Sequence, residues 1–264
     1  MTAAPDHNGF DMDGAVYDRF MGRYSRPLAS HFADFVGLQP GHRSLDVGCG
    51  PGALTAELVE RVGVTAVSAV DPSPSFVAAC RQRHPGVDVR QGGGEDLDFP
   101  DAVFDRVMAQ LVLHFVDDGE QVAREFQRVL RPAGVAAACV WDLGEGMELL
   151  RAFYDAAAAV RQDAPDERHL RFGRPGEIAE LLDGAGFGDV REATLTVDSE
   201  YPDFDELWAS MLGGAGPVGA YCTRLDDEHR AALHDQLHAR LGAPTGHFTL
   251  QATAFAARGA RELT

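Results

Sequence analysis

Apolar residues along the chain follow two alternating rhythms. Short runs of aliphatic and β-branched residues stand between longer stretches whose apolar positions recur every three or four residues. The first rhythm predicts strands at Ser44–Val47, Val64–Val70, Val87–Gln91, Val103–Ala109 and Val135–Trp141. The second predicts helices at Gly52–Val62, Ser73–His84 and Asp118–Leu130. Leu54, Leu58 and Val62 share one helical face, and Val122, Phe126, Val129 and Leu130 share another. Arg131-Pro132-Ala133-Gly134 reads as the stop after the third helix. Strand and helix in alternation indicate an α/β sheet, and two mononucleotide-type halves fit within the first 142 residues. Past Trp141 the rhythm loosens. Helices are predicted at Met147–Arg161, Pro175–Ala185, Phe204–Leu212 and Asp226–Leu241, the last two separated by a glycine-rich turn. Strands are predicted at Phe187–Val197 and Phe248–Ala256.

The most informative junction is "LDVGCGPGALTAEL", Leu45–Leu58, a strand, a turn with Gly48, Gly50 and Gly52, and a helix. Such a turn offers backbone N–H groups and the positive end of a helix to a nucleotide. Gly48-x-Gly50-x-x-Ala53 also fits the fingerprint of dinucleotide dehydrogenases. Asp46, two residues before the first glycine, separates the readings. A carboxylate there repels a pyrophosphate and suits an ammonium group, so the better ligand is a nucleoside that carries an amino acid. Pro51 fits the first turn of the helix, where its missing N–H costs little. Asp71 ends the next strand, where a carboxylate can accept both hydroxyls of a ribose. Dinucleotide enzymes share that second acid, so it marks a ribonucleoside without choosing between them.

Composition narrows the partners. The formal net charge is -18, and every strong base is an arginine. Binding to phosphate backbones needs clustered cations, so a nucleic-acid substrate is disfavoured and a small molecule is not. No apolar run reaches the roughly 18 residues of a membrane span. The stretch MTAAPDHNGFDMDGA is too polar and acidic for a secretory leader. Four scattered cysteines form no CxxC pair, so neither a zinc site nor a disulfide framework is expected and a cytoplasmic setting is the default.

These motifs resemble the class I S-adenosylmethionine-dependent methyltransferases, in particular the small-molecule group typified by the ubiquinone/menaquinone-biosynthesis enzymes. "LDVGCGPG", "AVDPS", "GGGEDLDFPDAVFD" and "FDRVMAQLVLHFV" carry the resemblance, in that order, within residues 14 to 142. It implies S-adenosyl-L-methionine as cofactor, held by Asp46, Gly48, Gly50, Asp71 and Pro72. The backbone carbonyl of Gln110 would accept from the methionyl amino group. Gly93 departs from an aspartate common at that position, and Asp98 from a proline. Adenine recognition would then fall to the Gly94 backbone and to Glu95, unless Glu95 and Asp96 are only a solvated loop face. "YDRFMGRYSRPLA", Tyr17–Ala29, is similar to a helix that covers the cofactor in these enzymes. There Arg23 would pair with the methionyl carboxylate and Tyr17 would cover the sulfonium. An ordinary surface helix packing Phe20 and Tyr24 is the alternative.

The acceptor side is less legible. His114, just past the fourth strand, is either a general base or a packing and hydrogen-bond anchor. His229, His234 and His238 fit a solvated helix face better than a metal site. Trp141 ends the fifth strand at the ligand edge. In "FDELWASMLGGAGPVGAY", Trp208 and Met211 share a helical face beside four glycines and a proline, which suits either a bendable lid or plain packing. Aromatic residues on this side predict a small, partly apolar methyl acceptor.

The expected fold is a Rossmann-like seven-stranded sheet, its last strand antiparallel, with helices on both faces and helical cap insertions. A single domain over 1–264 would comprise a lid helix (14–36), a cofactor core (43–142), a substrate cap with the remaining core (143–245) and a final strand (246–258). The expected activity is methyl transfer to an O, N or C atom. A nicotinamide-dependent oxidoreductase and a non-catalytic S-adenosylmethionine-binding protein remain as alternatives.

Overall fold

The computed structural model describes residues 14–214 and 216–263. Most of the polar N-terminal stretch used above to argue against a leader lies outside them. Seven strands form one sheet: β1 (Ser44–Val47), β2 (Val67–Asp71), β3 (Asp88–Gln91), β4 (Phe104–Gln110), β5 (Leu130–Trp141), β6 (Gly188–Tyr201) and β7 (Phe248–Ala260). Their order is β3-β2-β1-β4-β5-β7-β6. β1 to β5 pair in parallel, while β7 is antiparallel to both of its neighbours. This is the Rossmann-like arrangement expected, last strand included. Every residue of β1 and β2 is buried, as befits parallel strands covered on both faces.

Helices cover the two faces. On one side α2 (Arg23–Val36), α3 (Ala53–Val62), α6 (Glu148–Val160) and α10 (Asp227–Arg240) bring Leu28, Phe32, Leu58, Phe153 and Leu233 into one core. On the other, α5 (Gly119–Val129) and α7 (Glu177–Gly184) bury Val122, Phe126, Ile178 and Leu182. α4 (Pro74–Arg83) packs Val77 and Cys80 beside the glycine turn. Two further helices, α8 (Phe204–Met211) and α9 (Gly216–Arg224), lie between β6 and α10 in sequence. The chain reverses its direction across the sheet between β1 and β4. Ligands of open α/β sheets bind at the carboxyl ends of the strands at such a point, and here those ends carry Gly48 and Leu111.

Several boundaries differ from the expected ones. Among the described residues the N-terminal segment is not one uninterrupted α-helix: α1 (Gly14–Tyr17) passes through a π-helical turn at Asp18–Gly22 before the chain continues as α2. Arg131–Gly134 lies inside β5: Leu130 pairs with Phe104, and the register then shifts before Val135 meets Arg106. β6 and β7 each run four residues past their expected ends, because they complete one another in an antiparallel ladder from Gly188↔Ala260 to Tyr201↔Phe248. The glycine-rich stretch expected as a turn contains α9, whose second residue is Pro217, a residue that the first turn of a helix tolerates. Gly219 of α9 lies against the backbone of Gly214, where an added Cβ would meet the Gly214 carbonyl carbon at 2.4 Å. Close packing therefore explains this glycine without a hinge.

Candidate active site

The turn after β1 folds around its glycines. The Gly48 and Cys49 N–H groups donate to the Val70 carbonyl at 2.8 and 3.0 Å, tying the turn to β2. Gly48 has φ +71°, and a Cβ there would lie 2.3 Å from Val112. Gly50 has φ +53° with nothing within 4 Å of where its Cβ would stand, so the turn presents bare backbone to open space. Asp71 braces the same turn. Its Oδ2 accepts from the Gly50 N–H at 2.8 Å and its Oδ1 from the Ser73 N–H at 2.9 Å. Burial raises the Asp71 carboxyl, and these two N–H donors oppose the shift. Each oxygen keeps a lone pair for a further donor. Pro72, next in sequence, is exposed.

Asp46 sits beneath the turn at 1% exposure. Its Oδ2 accepts from the Thr55 hydroxyl at 2.6 Å, while Oδ1 is buried without a partner. Burial lifts the carboxyl to about 7, Thr55 opposes that rise, and the nearby Asp71 adds to it. Gln110, at the end of β4, repeats the pattern. Its Nε2 donates to the Ser25 carbonyl at 2.8 Å, and its Oε1 is buried without a partner. Unsatisfied buried acceptors are uncommon and call for an explanation. Two of them beside one glycine turn suit a cationic donor such as an ammonium group.

At the other end, Gly94 is wedged between Val47 and Val122, where an added Cβ would stand 3.2 and 3.3 Å from their methyls. The Glu95 Oε1 accepts from the Asp117 N–H at 3.1 Å, and its carbonyl accepts from Gln121. Tyr17 meets Phe76 of α4 edge-on at 5.5 Å. Arg23 is placed differently from the expectation that pairs it with a methionyl carboxylate. Its guanidinium donates to Glu206 on α8 at 3.0 Å and to the carbonyls of Glu200 and Arg19, and it lies over the Tyr201 ring. Those partners take one hydrogen from each of its three nitrogens.

Beside the end of β4 opens a cavity of about 600 Å³, its mouth included. Tyr17, Phe20 and Met21 of the N-terminal helical segment form one wall. Leu111, His114 and Phe115 form the second, with Trp141, Leu143 and Leu150 behind them. Gly216, Pro217 and Val218 of α9 complete the lining, and Glu167 supplies the one carboxyl group of its described residues. Leu111 is held at φ +66°, an uncommon conformation for a branched residue, directly after β4. His114 is 5% exposed. Its Nδ1 lies 2.6 Å from the Arg171 carbonyl and its Nε2 3.1 Å from the Trp141 carbonyl. Burial lowers its pKa even though both carbonyls favour a proton. With both nitrogens facing carbonyl oxygens, the ring has the setting of an anchor.

The cavity thus collects Tyr17, His114 and Trp141 from the sequence-derived candidates. Trp208 and Met211 are not in its lining. Met211 is fully buried in the core, and Trp208 meets His234 of α10 edge-on at 5.3 Å. The helical face that grouped them turns toward α10 and the core instead of the acceptor space. Sequence reasoning passed over Glu167, Leu111 and the α9 residues. Glu167 lies in an irregular connection with no periodicity to single it out, and the glycines masked α9.

A protein-family model described as "Methyltransferase domain" matches residues 45–138. Nocamycin O-methyltransferase of Saccharothrix syringae is 32% identical, the alignment covering 92% of this chain and 93% of that protein. Trans-aconitate 2-methyltransferase of Mycobacterium tuberculosis is 30% identical over 76% of this chain and 78% of that one. Among solved structures, a Thermotoga maritima protein described as a SAM-dependent methyltransferase and possible histamine N-methyltransferase superposes with a TM-score of 0.59. It is 19% identical, with 97% of this chain and 99% of that one covered.

Proposed function

This chain belongs to the S-adenosylmethionine-dependent methyltransferases, and from that premise we propose that its acceptor is a neutral hydroxyl on a small, largely apolar molecule. It is an enzyme that methylates small molecules with S-adenosyl-L-methionine. The residues around the first turn fit that cofactor. Two orphaned acceptors, Asp46 Oδ1 and Gln110 Oε1, match an ammonium group, and the open side of Gly50 admits a ligand against bare backbone. We assign Asp46 and Gln110 to the amino-acid end and Asp71 to the ribose. Gly48 and Gly50 give the approach, while Pro72, Gly94 and Glu95 form the adenine end. Tyr17 closes over the site from the N-terminal helical segment. When bound, the cofactor supplies a methyl group on a positively charged sulfur.

The protein's own work is placement. Holding donor and acceptor in line can supply about 7–11 kcal/mol of the barrier. Tyr17, Leu111 and Trp141 shape the space in which an acceptor lies, and His114, set between the Arg171 and Trp141 carbonyls, anchors that wall. The observation that carries the acceptor class is the cavity lining, which holds no arginine among the described residues. An acceptor rich in carboxylates, such as trans-aconitate, would be buried there without a counter-charge, which costs several kcal/mol or more. A neutral phenol or enol avoids that cost. The resemblance to an O-methyltransferase along nearly the whole chain points the same way. Incubating the protein with labelled cofactor, 1-naphthol, 4-nitrophenol, trans-aconitate and tyramine, followed by mass spectrometry, tests this. O-methylated phenols are the expected products. Methylation of trans-aconitate, or of the tyramine nitrogen, in their place overturns the reading.

A further inference from the structure

Glu167 stands out because, among the described residues, it is the cavity wall's one carboxyl, and a hydrogen bond from Tyr154 holds it there. It lies in the connection between α6 and α7. Its Oε2 accepts from the Tyr154 hydroxyl at 2.8 Å, and Tyr154, on α6, is itself buried at 1% exposure. The adjacent Arg168 does not neutralise it, because that guanidinium pairs with Asp166 and Asp155. His114, the one imidazole among the described lining residues, has its two nitrogens 2.6 and 3.1 Å from backbone carbonyl oxygens, which leaves neither nitrogen directed at a methyl acceptor.

We propose that Glu167 is the catalytic base of this enzyme, taking the proton from the acceptor's hydroxyl as the methyl group arrives. The proposal rests on the neutral-hydroxyl reading above. In the step, the acceptor oxygen forms a bond to the methyl carbon and its O–H bond breaks. The proton passes to a Glu167 carboxylate oxygen, and the carbon–sulfur electron pair stays on sulfur as a neutral thioether. Tyr154 acts through Glu167 as a positioning residue that fixes one carboxylate oxygen. Burial raises the Glu167 carboxyl, with the Tyr154 hydrogen bond opposing that shift and Asp166 adding to it. A base held above the ordinary carboxylate range takes a phenolic proton more readily.

Acceptor acidity supplies the test. In mildly alkaline buffer 4-nitrophenol is largely ionised and needs no base, whereas 1-naphthol is largely neutral. Glu167→Gln should lower kcat with 1-naphthol by about 10²-fold or more, within the usual worth of a general base. KM for 1-naphthol should stay close to that of the parent, and kcat with 4-nitrophenol, whose phenolate the Glu167 carboxylate repels, should not fall. Tyr154→Phe should show the same dependence on acceptor at smaller amplitude. S-adenosylhomocysteine titrated calorimetrically must bind both variants as it binds the parent. Should Glu167→Gln lose that binding, the Tyr154→Phe pattern decides. Equal losses on both phenols, or none, overturn Glu167 as base and leave the acceptor class intact. If the unaltered enzyme methylates neither phenol, the acceptor reading falls and the base falls with it.

Discussion

At the scale of single residues, Asp46 is a carboxyl group strongly displaced by its surroundings. Burial lifts its carboxyl from 3.8 to about 7, so the ligand-free protein carries a proton there in mildly acidic solution. A ligand ammonium favours the charged form and must displace that proton. S-adenosylhomocysteine affinity should therefore tighten as pH rises toward about 7 and level off above it, with about one proton released in the acidic range. Calorimetry in buffers of different ionisation enthalpy measures this directly, and Asp46→Asn should abolish the release and the slope. The sign for folding is the reverse. A carboxyl raised in the folded state stabilises the protein below its unfolded value, and that contribution is lost as pH rises from about 4 to about 7. Ligand-free Asp46→Asn should lack this decline. Asp46 and Asp71 were legible in sequence because a strand end beside a glycine turn fixes where a short side chain lies. Arg23 was not. Its partner Glu206 lies 183 positions away, and only the folded chain brings the two together.

At the scale of elements, Asp18 helps fasten the N-terminal helical segment to the turn after β1. Asp18, in the π-helical turn, receives Arg26 at 2.6 Å and Arg83 of α4 at 2.7 Å. Arg83 also donates to the Pro51 carbonyl at 3.0 Å, inside the turn that follows β1. Asp18→Asn weakens this fastening while leaving the buried face of α2 intact. The expected result is S-adenosylhomocysteine dissociation faster by several-fold in stopped-flow displacement, with the melting temperature within a few degrees of the parent. Single partly exposed ion pairs contribute only about 1 kcal/mol or less, which sets that limit. β1 to β5 and their helices were readable because their apolar runs are dense and their turns carry glycine, proline and capping residues. β6 was cut short because it alternates buried and exposed residues with many polar ones, so its end depends on pairing with β7. α9 was hidden by its glycines, of which Gly219 serves close approach to the Gly214 backbone in the loop before it.

At the scale of the whole molecule, 41 acidic residues outnumber 23 arginines, giving the net charge of -18. Arginine fasteners bridge distant parts of the chain, as Arg19 and Arg23 do to Glu206 and Arg61 to Asp34. The surplus of acids still leaves a large net negative charge, and that mutual repulsion disfavours the compact state. Added sodium chloride up to about 0.3 M shortens the screening length to within roughly 10 Å. It should raise the melting temperature by a few degrees in differential scanning calorimetry, whereas a fall would mean that the ion pairs outweigh the repulsion. The position of β7 has a consequence in time. Both of its neighbours are synthesised before it, yet it belongs between them. Until residues 248–260 emerge from the ribosome, β5 and β6 each offer a row of bare amides and carbonyls to passing chains. The two run in the same direction, and direct pairing between them would shut the lane β7 must enter. A nascent chain has to keep that lane clear, so late insertion is the stage at which chaperone capture or misassociation competes with completion of the sheet.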